Sequence, residues 1–419
     1  MNILDIAKKK NNGKVLSQKE IEFCVTNFYN GKITKEQMTI FLKSVYDGQM
    51  TDEEIYFLTK AIQKTGETCD MSVFNGKSVD KHSTGGVADT TTLILAPILA
   101  SLDIVMLKAS GRSLGWTGGT VNKLECFDGY KCDLEFEKAV ELARKNGACL
   151  VSQSKDLAPA DKVIYALRDE TGLVDNTALI ASSIMSKKLA ANNDYIFLDI
   201  KVGKGAFMPT LKKAENLARV MVKIAKLDNK KCVCFITDMN QPLGDNIGSY
   251  MEAVEAIEVL NGKHSRLSEI VTFMACEILQ AVKGYSKNDA LNEVNRVIDE
   301  KVALNKFKDM IKDGKGKLDL FDAKTMKHSG KVKSNKDGYI KSFKCKELGN
   351  LSLEMEKIDK KAGIICYKKI GDRVKKGDLL FKVVNFELCD DKLLEKLGKC
   401  VIIDKDKVKS KKLIYKVLK

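Results

Sequence analysis

The chain has 419 residues, 44% of them hydrophobic and 30% charged, with twelve cysteines and a formal net charge of +15. That length and balance suit a soluble globular protein of two or three domains, and no apolar run reaches the ~20 residues of a membrane span. The cysteines form no C-x-x-C and no Cys/His cluster, which argues against zinc and for reduced thiols, and the lysines are interleaved, as in "LKKAENLARVMVKIAKL", rather than gathered into a nucleic-acid-binding stripe.

The N-terminus lacks an apolar core of signal-peptide length, so a cytoplasmic protein is expected. Residues 1 to about 65 read as a small helical unit. Three capping boxes occur in succession, Ser17 with Glu20, Thr34 with Gln37 and Thr51 with Glu54, each opening an amphipathic run.

From about residue 77 strands alternate with helices. "DIVMLKAS", "ACLVSQS", "DYIFLDIKVG" and "KCVCFITD" read as strands. "EFEKAVELARKNG" and "PTLKKAENLARVMVKIAKL" read as helices, the second with Pro209 in its first turn. This predicts an α/β domain with a mixed sheet over 77–155 and 194–325, with ligands near the strand C-termini. A helix-rich insert, about 160–190, is expected to pack back on the N-terminal helices and complete their domain. Beyond 330, short β-like runs with Asp-Gly and Gly-Asp turns predict a β-rich C-terminal domain over 330–419.

Two segments carry the chemistry. "VDKHSTGGVADTTTL" reads as a strand end, a Gly-Gly turn and a helix start, and contains His82, one of only three histidines. Lys81 adds charge, Ser83 and Thr92 add hydroxyls, and N–H groups at the helix start point towards an anion. The set suits phosphate without being a P-loop, because G-x-x-x-x-G-K-[ST] is absent. "LKASGRSLGWTGGTVNKLE" also follows a strand and is again rich in glycine and hydroxyls, so the two loops can converge on one anion.

Together these motifs resemble the pyrimidine-nucleoside and thymidine phosphorylases, and lean towards the bacterial pyrimidine-nucleoside enzymes. "LAPADK", "YALRD", "SKKLA", "DIKVGKGAFM" and "TDMNQPLG" follow in the same order, so the resemblance covers nearly the whole chain. It implies phosphorolysis of uridine, thymidine or deoxyuridine to free base and a pentose 1-phosphate, in nucleoside salvage and catabolism, with no organic cofactor. It implies a phosphate site at Lys81, His82, Ser83, Thr92, Lys108, Ala109, Ser110 and Thr120. Catalytic roles fall to His82, Arg168 and Lys187, and the pyrimidine is held by Leu114, Arg168, Ser183 and Lys187. A potassium ion is implied at Ala88, Thr90, Leu243, Asn246 and Glu255, and a homodimer through the helical domain. No nucleic acid or membrane partner is implied. The alternatives are a homologue that binds nucleoside or phosphate without turnover and a basic nucleic-acid-binding protein.

Four positions depart from the family pattern. Ala88, Ser113 and Trp116 stand where glycine, glycine and histidine are expected, and Asn122 where aspartate is. Ala88 is costly if its backbone needs φ > 0. Trp116, the only tryptophan, has three readings: stacking on a base, narrowing the pocket or simply packing. His264 and His328 fall outside the motifs and read as structural or exposed.

Overall fold

The computed structural model describes residues 1–113, 115–154, 156–321 and 326–419; Leu114 and the side chain of His328 lie outside the described residues. The N-terminal unit contains α1 (Ile3–Asn11), α2 (Gln18–Tyr29), α3 (Lys35–Asp47) and α4 (Asp52–Gln63). All three expected capping boxes are formed, so the first N–H groups of α2, α3 and α4 are satisfied locally. Glu54 does more than cap: its carboxylate also takes the buried Lys10 ammonium at 2.8 Å and the Leu16 N–H at 2.8 Å, tying α1 to α4.

The α/β region begins with β1 (Ser78–Ser83), α5 (Thr91–Ala100), β2 (Val105–Ser110), α6 (Thr120–Leu124), α7 (Phe136–Asn146) and β3 (Ala148–Ser152). The insert supplies α8 (Pro159–Glu170) and α9 (Thr177–Ala191), and the chain continues through β4 (Tyr195–Val202), α10 (Leu211–Leu227) and β5 (Lys231–Asp238). Next come β6 (Asn246–Ile247), α11 (Ser249–Leu260), α12 (Arg266–Lys283), α13 (Lys287–Asp299) and α14 (Val302–Asp313). The C-terminal region holds β7 (His328–Lys333), β8 (Gly338–Phe343), α15 (Cys345–Ile358), β9 (Gly363–Cys366), β10 (Arg373–Val374), β11 (Leu379–Val384), α16 (Asp391–Gly398), β12 (Val401–Asp404) and β13 (Ile414–Leu418).

Among the described residues the central sheet runs β13-β5-β4-β1-β2-β3, parallel except for β13, which lies antiparallel on β5. Both faces are covered, which is why β4 is buried throughout its length. One face packs on α5, α11, α12, α13 and α14 around Ile98, Met106, Phe197 and Phe235. The other receives α9 and α10, where Met185 and Leu189 meet Ile196, Leu198 and Ile200. The opposite flank of the insert joins the N-terminal core: Ile164, Leu167 and Leu179 pack with Phe41, Leu58 and Ile62. The insert thus packs on the N-terminal helices, and α9 touches both units.

Two details differ from the sequence reading. Helix α10 starts at Leu211, with the Thr210 hydroxyl capping the Lys213 N–H, so Pro209 precedes the cap rather than entering the first turn; threonine is the better cap and sets the boundary. The C-terminal region is also cross-stitched to the α/β region. β6 joins the sheet β6-β9-β11-β7, while β13 leaves the C-terminal sheets (the other is β10-β8-β12) for the central one. The β-rich unit expected over 330–419 therefore loses its last strand to β5, whose outer edge would otherwise be unpaired.

Candidate active site

The chain passes β1→β2→β3 to one side, then returns to place β4 on the other side of β1. Such a switch point opens a crevice at the strand C-termini. Both glycine loops emerge there. β1 and β2 pair with Ser78 opposite Val105 and Val79 opposite Met106. Counted on by the same offset in sequence, Lys81 corresponds to Lys108 and Ser83 to Ser110, beyond the two paired positions.

Lys81 is fully buried; its ammonium donates to Thr91 Oγ1 at 2.6 Å and stands 3.4 Å from Asp199. Lys201 shares Asp199 at 2.7 Å. Lys108 donates to Ser110 Oγ at 2.7 Å and forms no salt bridge among the described residues. Burial, then the neighbouring Lys188 charge, push Lys108 down to about 7, although Asp80 and Asp89 oppose the shift. Asp89 is itself held well below the usual carboxylate range: burial opposes ionisation, but Lys201, Lys81, Lys123 and the Ser83 hydroxyl outweigh it. Ser83 donates to Asp89 at 2.5 Å and accepts the Gly85 N–H at 3.2 Å. Thr92 is a buried first-turn residue of α5, Ala109 sits on β2 between Lys108 and Ser110, and Thr120 opens α6. The hydroxyl that meets Lys81 is that of Thr91, which the sequence reading passed over for Thr92.

His82 follows Lys81 on β1. The residue is half-buried, and the protein packed around it and the charges of Lys188, Lys108, Lys187 and Lys81 hold it well below its ordinary range. It is a neutral imidazole in this state.

The facing wall comes from α8 and α9. Arg168 is 2% exposed. Its guanidinium donates to the carbonyls of Leu173 (3.2 Å), Leu179 (3.1 Å) and Val174 (3.0 Å), one bond from each nitrogen. Five N–H donors therefore leave two unused, in a fixed plane. Lys187 donates to Asp161 at 2.5 Å and approaches Ser183 Oγ at 3.5 Å. Asp161 was missed in the sequence, although it stands seven residues before Arg168 on one helix face. Its second oxygen is buried without a hydrogen bond among the described residues.

The second glycine loop explains the departures. Ser113 Oγ lies 3.2 Å from Asn122 Oδ1, so two of the four pair with each other. Trp116 packs: its ring stacks on Phe207 with centroids 4.7 Å apart, its Nε1–H donates to the Gly205 carbonyl at 3.2 Å, and the Lys346 ammonium lies 4.3 Å from its centroid. Phe207 also lies against Gly85 and Gly115, so it touches both loops. A Cβ at Gly119 would sit 2.4 Å from the Arg112 backbone, which is why the loop needs glycine there. Ala88 has φ 58°, the left-handed backbone that glycine would adopt without cost.

Around Ala88 lie the other residues expected at a cation. The Ala88 carbonyl accepts the Gly244 N–H at 3.1 Å, and a Cβ at Gly244 would fall 2.4 Å from Glu255 Oε2 and 3.3 Å from the Ala88 oxygen. Glu255 accepts the N–H groups of Asp245 and Asn246, both at 2.9 Å. Burial raises it to about 7, against those bonds and Lys263. Thr90 donates to Glu252 at 3.1 Å, which leaves its oxygen lone pairs available, and Leu243 adjoins through its N–H bond to Val87. An oxygen-rich donor set with one fixed carboxylate fits a monovalent cation. Among the described residues there is no group of three or more His, Cys, Asp or Glu side chains able to hold a metal ion. His264 is exposed and lies just before the Ser265 cap of α12.

Residues 75–316 match the a/b domain of the glycosyl transferase family, residues 4–66 its helical bundle domain, and residues 339–404 the pyrimidine nucleoside phosphorylase C-terminal domain. The chain is 39% identical over 433 residues to a pyrimidine-nucleoside phosphorylase of Staphylococcus haemolyticus, covering 100% of both chains. It is 39% identical over 432 residues to one of Staphylococcus aureus, again covering 100% of both. Among solved structures, anthranilate phosphoribosyltransferase from Thermus thermophilus superposes with a TM-score of 0.60 at 15% identity, covering 75% of this chain and 100% of that one, a likeness of fold alone. With relatives this similar along its entire length, and with all three domain signatures in order, the chain belongs to the pyrimidine-nucleoside phosphorylase family.

Proposed function

We propose that the crevice between the strand ends and α8–α9 is the active site, and that the chain cleaves pyrimidine nucleosides with inorganic phosphate. The chain is a pentosyltransferase by family, with phosphate as co-substrate. The observation that carries the site is the convergence of charge on His82, where Lys81 and Lys108 from adjacent strands act together with Lys187 and Lys188 from α9.

Phosphate sits against Lys81, Ser83, Lys108, Ser110 and Thr120, with Ala109 and Thr92 flanking. One of its oxygens attacks C1′ as the C1′–N1 bond breaks, and the bonding pair leaves with the base. The spare guanidinium donors of Arg168, with Lys187 and Ser183, stabilise the negative charge that develops on the base. His82 begins neutral. A bound phosphate dianion offsets the lysine charges around it and restores its basicity, so proton donation by His82 is tied to phosphate occupancy. Leu114 is assigned an apolar contact to the base.

We assign potassium to Ala88, Thr90, Leu243, Asn246 and Glu255, where it would brace the loop that carries Asp89. Uridine, thymidine and deoxyuridine are the proposed substrates. A homodimer through the helical unit is supported by its exposed Val15, Tyr29 and Ile40. A cytoplasmic location is supported by twelve free thiols, and among the described residues no helix is long and apolar enough to cross a membrane. We assign three units, 1–65 with about 160–190, 77–155 with 194–325, and the β-rich C-terminal part.

Release of free base from uridine, thymidine and deoxyuridine, with and without phosphate, tests the reading. Turnover is expected to require phosphate and to fall roughly a hundred- to thousand-fold in Lys81→Ala. A folded protein with potassium present that binds nucleoside yet turns over none of the three would replace it with the binding-only alternative.

A further inference from the structure

One buried ion pair crosses the crevice beneath the reacting groups. Asp80 of β1 and Lys188 of α9 meet at 2.8 Å, their side chains 1% and 4% exposed. Strand alternation puts Asp80 on the same side of β1 as His82. On α9, Lys188 directly follows Lys187, the residue assigned to the base. Among the described residues Asp80 Oδ1 is buried without a hydrogen bond, and the carboxylate is held through Oδ2. Helix α9 packs on the N-terminal helices along one flank and on the central sheet along another. The pair is thus a direct polar link between the strand bearing the phosphate lysine and the helix bearing the base lysine.

We propose that Asp80 and Lys188 are positioning residues that lock Lys187 in register with the phosphate loop and set the charge balance under His82 and Lys108. The proposal rests on the site assigned above. Apart from burial, Lys188 is the strongest influence depressing both His82 and Lys108. The charges that act on Lys108 are Lys188 from α9, Asp80 and Lys81 from β1, and Asp89 from the following loop. Lys188 and Lys81 lower it, while Asp80 and Asp89 raise it.

A merely structural pair and a charge-setting one make different predictions. The measurement is inorganic phosphate binding to the full chain, by calorimetry, between pH 6 and 9, alongside kcat and KM for uridine. In Lys188→Met, Lys108 loses a depressing cation and keeps Asp80, so the pH at which phosphate affinity declines moves up by about one unit. In Asp80→Asn it moves down by a similar amount. The double variant Asp80→Asn/Lys188→Met returns the decline to near the wild-type pH, but lowers kcat for uridine about tenfold because α9, which carries Lys187, is no longer tied to β1. Shifts in the same direction in both single variants, or no shift in either, overturn the proposal. If a single variant does not fold, the double variant decides: a displaced pH of decline or wild-type kcat overturns it. Phosphate binding is read without turnover, so a wild-type chain that binds phosphate and cleaves nothing indicts the proposed function and leaves the pair to be judged on binding alone.

Discussion

The two walls of the crevice hold their cations differently. On the strand-end wall, Lys81 and Lys201 share Asp199, and Lys108 has only a hydroxyl partner. On the helical wall, Arg168 is fixed by three carbonyls and Lys187 by Asp161. The first wall leaves Lys108 without a carboxylate partner among the described residues, which suits the dianion proposed to bind there. The second is already satisfied, and offers a few donors in fixed directions. On the assignment proposed above, phosphate recognition is chiefly a matter of charge, and base recognition chiefly a matter of geometry.

The contrast breaks most sharply at Lys108. With its ammonium pushed down to about 7, phosphate affinity is expected to fall about tenfold per pH unit above that value, because the charged form that binds the anion is lost. Lys108→Arg keeps its charge at every accessible pH, so the alkaline limb should flatten in a titration of phosphate binding. On the opposite wall, Asp161→Asn should raise KM for the nucleoside about tenfold and leave phosphate affinity within about twofold, since only the orientation of Lys187 is disturbed. Equal losses for both substrates would mean that the walls are not separable.

Smaller effects come from the loop between them. Trp116→His removes the stack on Phe207 and should cost about 1 kcal/mol of stability in chemical denaturation. As the single tryptophan, Trp116 should also report phosphate binding by its own fluorescence in the wild-type chain. The smallest change is expected for Ala88→Gly. Relief of the left-handed backbone, about 1–2 kcal/mol, outweighs the loss of one buried methyl, about 0.8 kcal/mol, so a gain below about 1 kcal/mol is expected in thermal unfolding.

What was legible in the sequence was local. The capping boxes of α2, α3 and α4 are contacts three residues apart, and each formed as read. The strand-to-loop junction at Ser110 follows from a hydrophobic run ending in hydroxyls and glycine, while at Ser83, where the strand is SVDKHS, only the Gly-Gly turn marks it. The partners of the site residues were not legible. Asp199 for Lys81, Asp80 for Lys188 and Gly205 with Phe207 for Trp116 are distant in sequence, and only strand order brings them together. Ala88 lies between these cases: the cost of a positive φ was foreseeable, but its presence needed the backbone.

The antiparallel strand β13 has a consequence for biogenesis. It covers the outer edge of β5, a run of Cys, Val, Phe and Ile that an unpaired chain would present as a template for aggregation. β5 is translated long before β13, so during synthesis that edge must wait uncovered, and ribosome-bound chains lacking residues 414–418 should be the species most dependent on chaperones. Once docked, β13 exposes Lys416 on the new rim and pairs it with Glu215, leaving the finished sheet with a charged border.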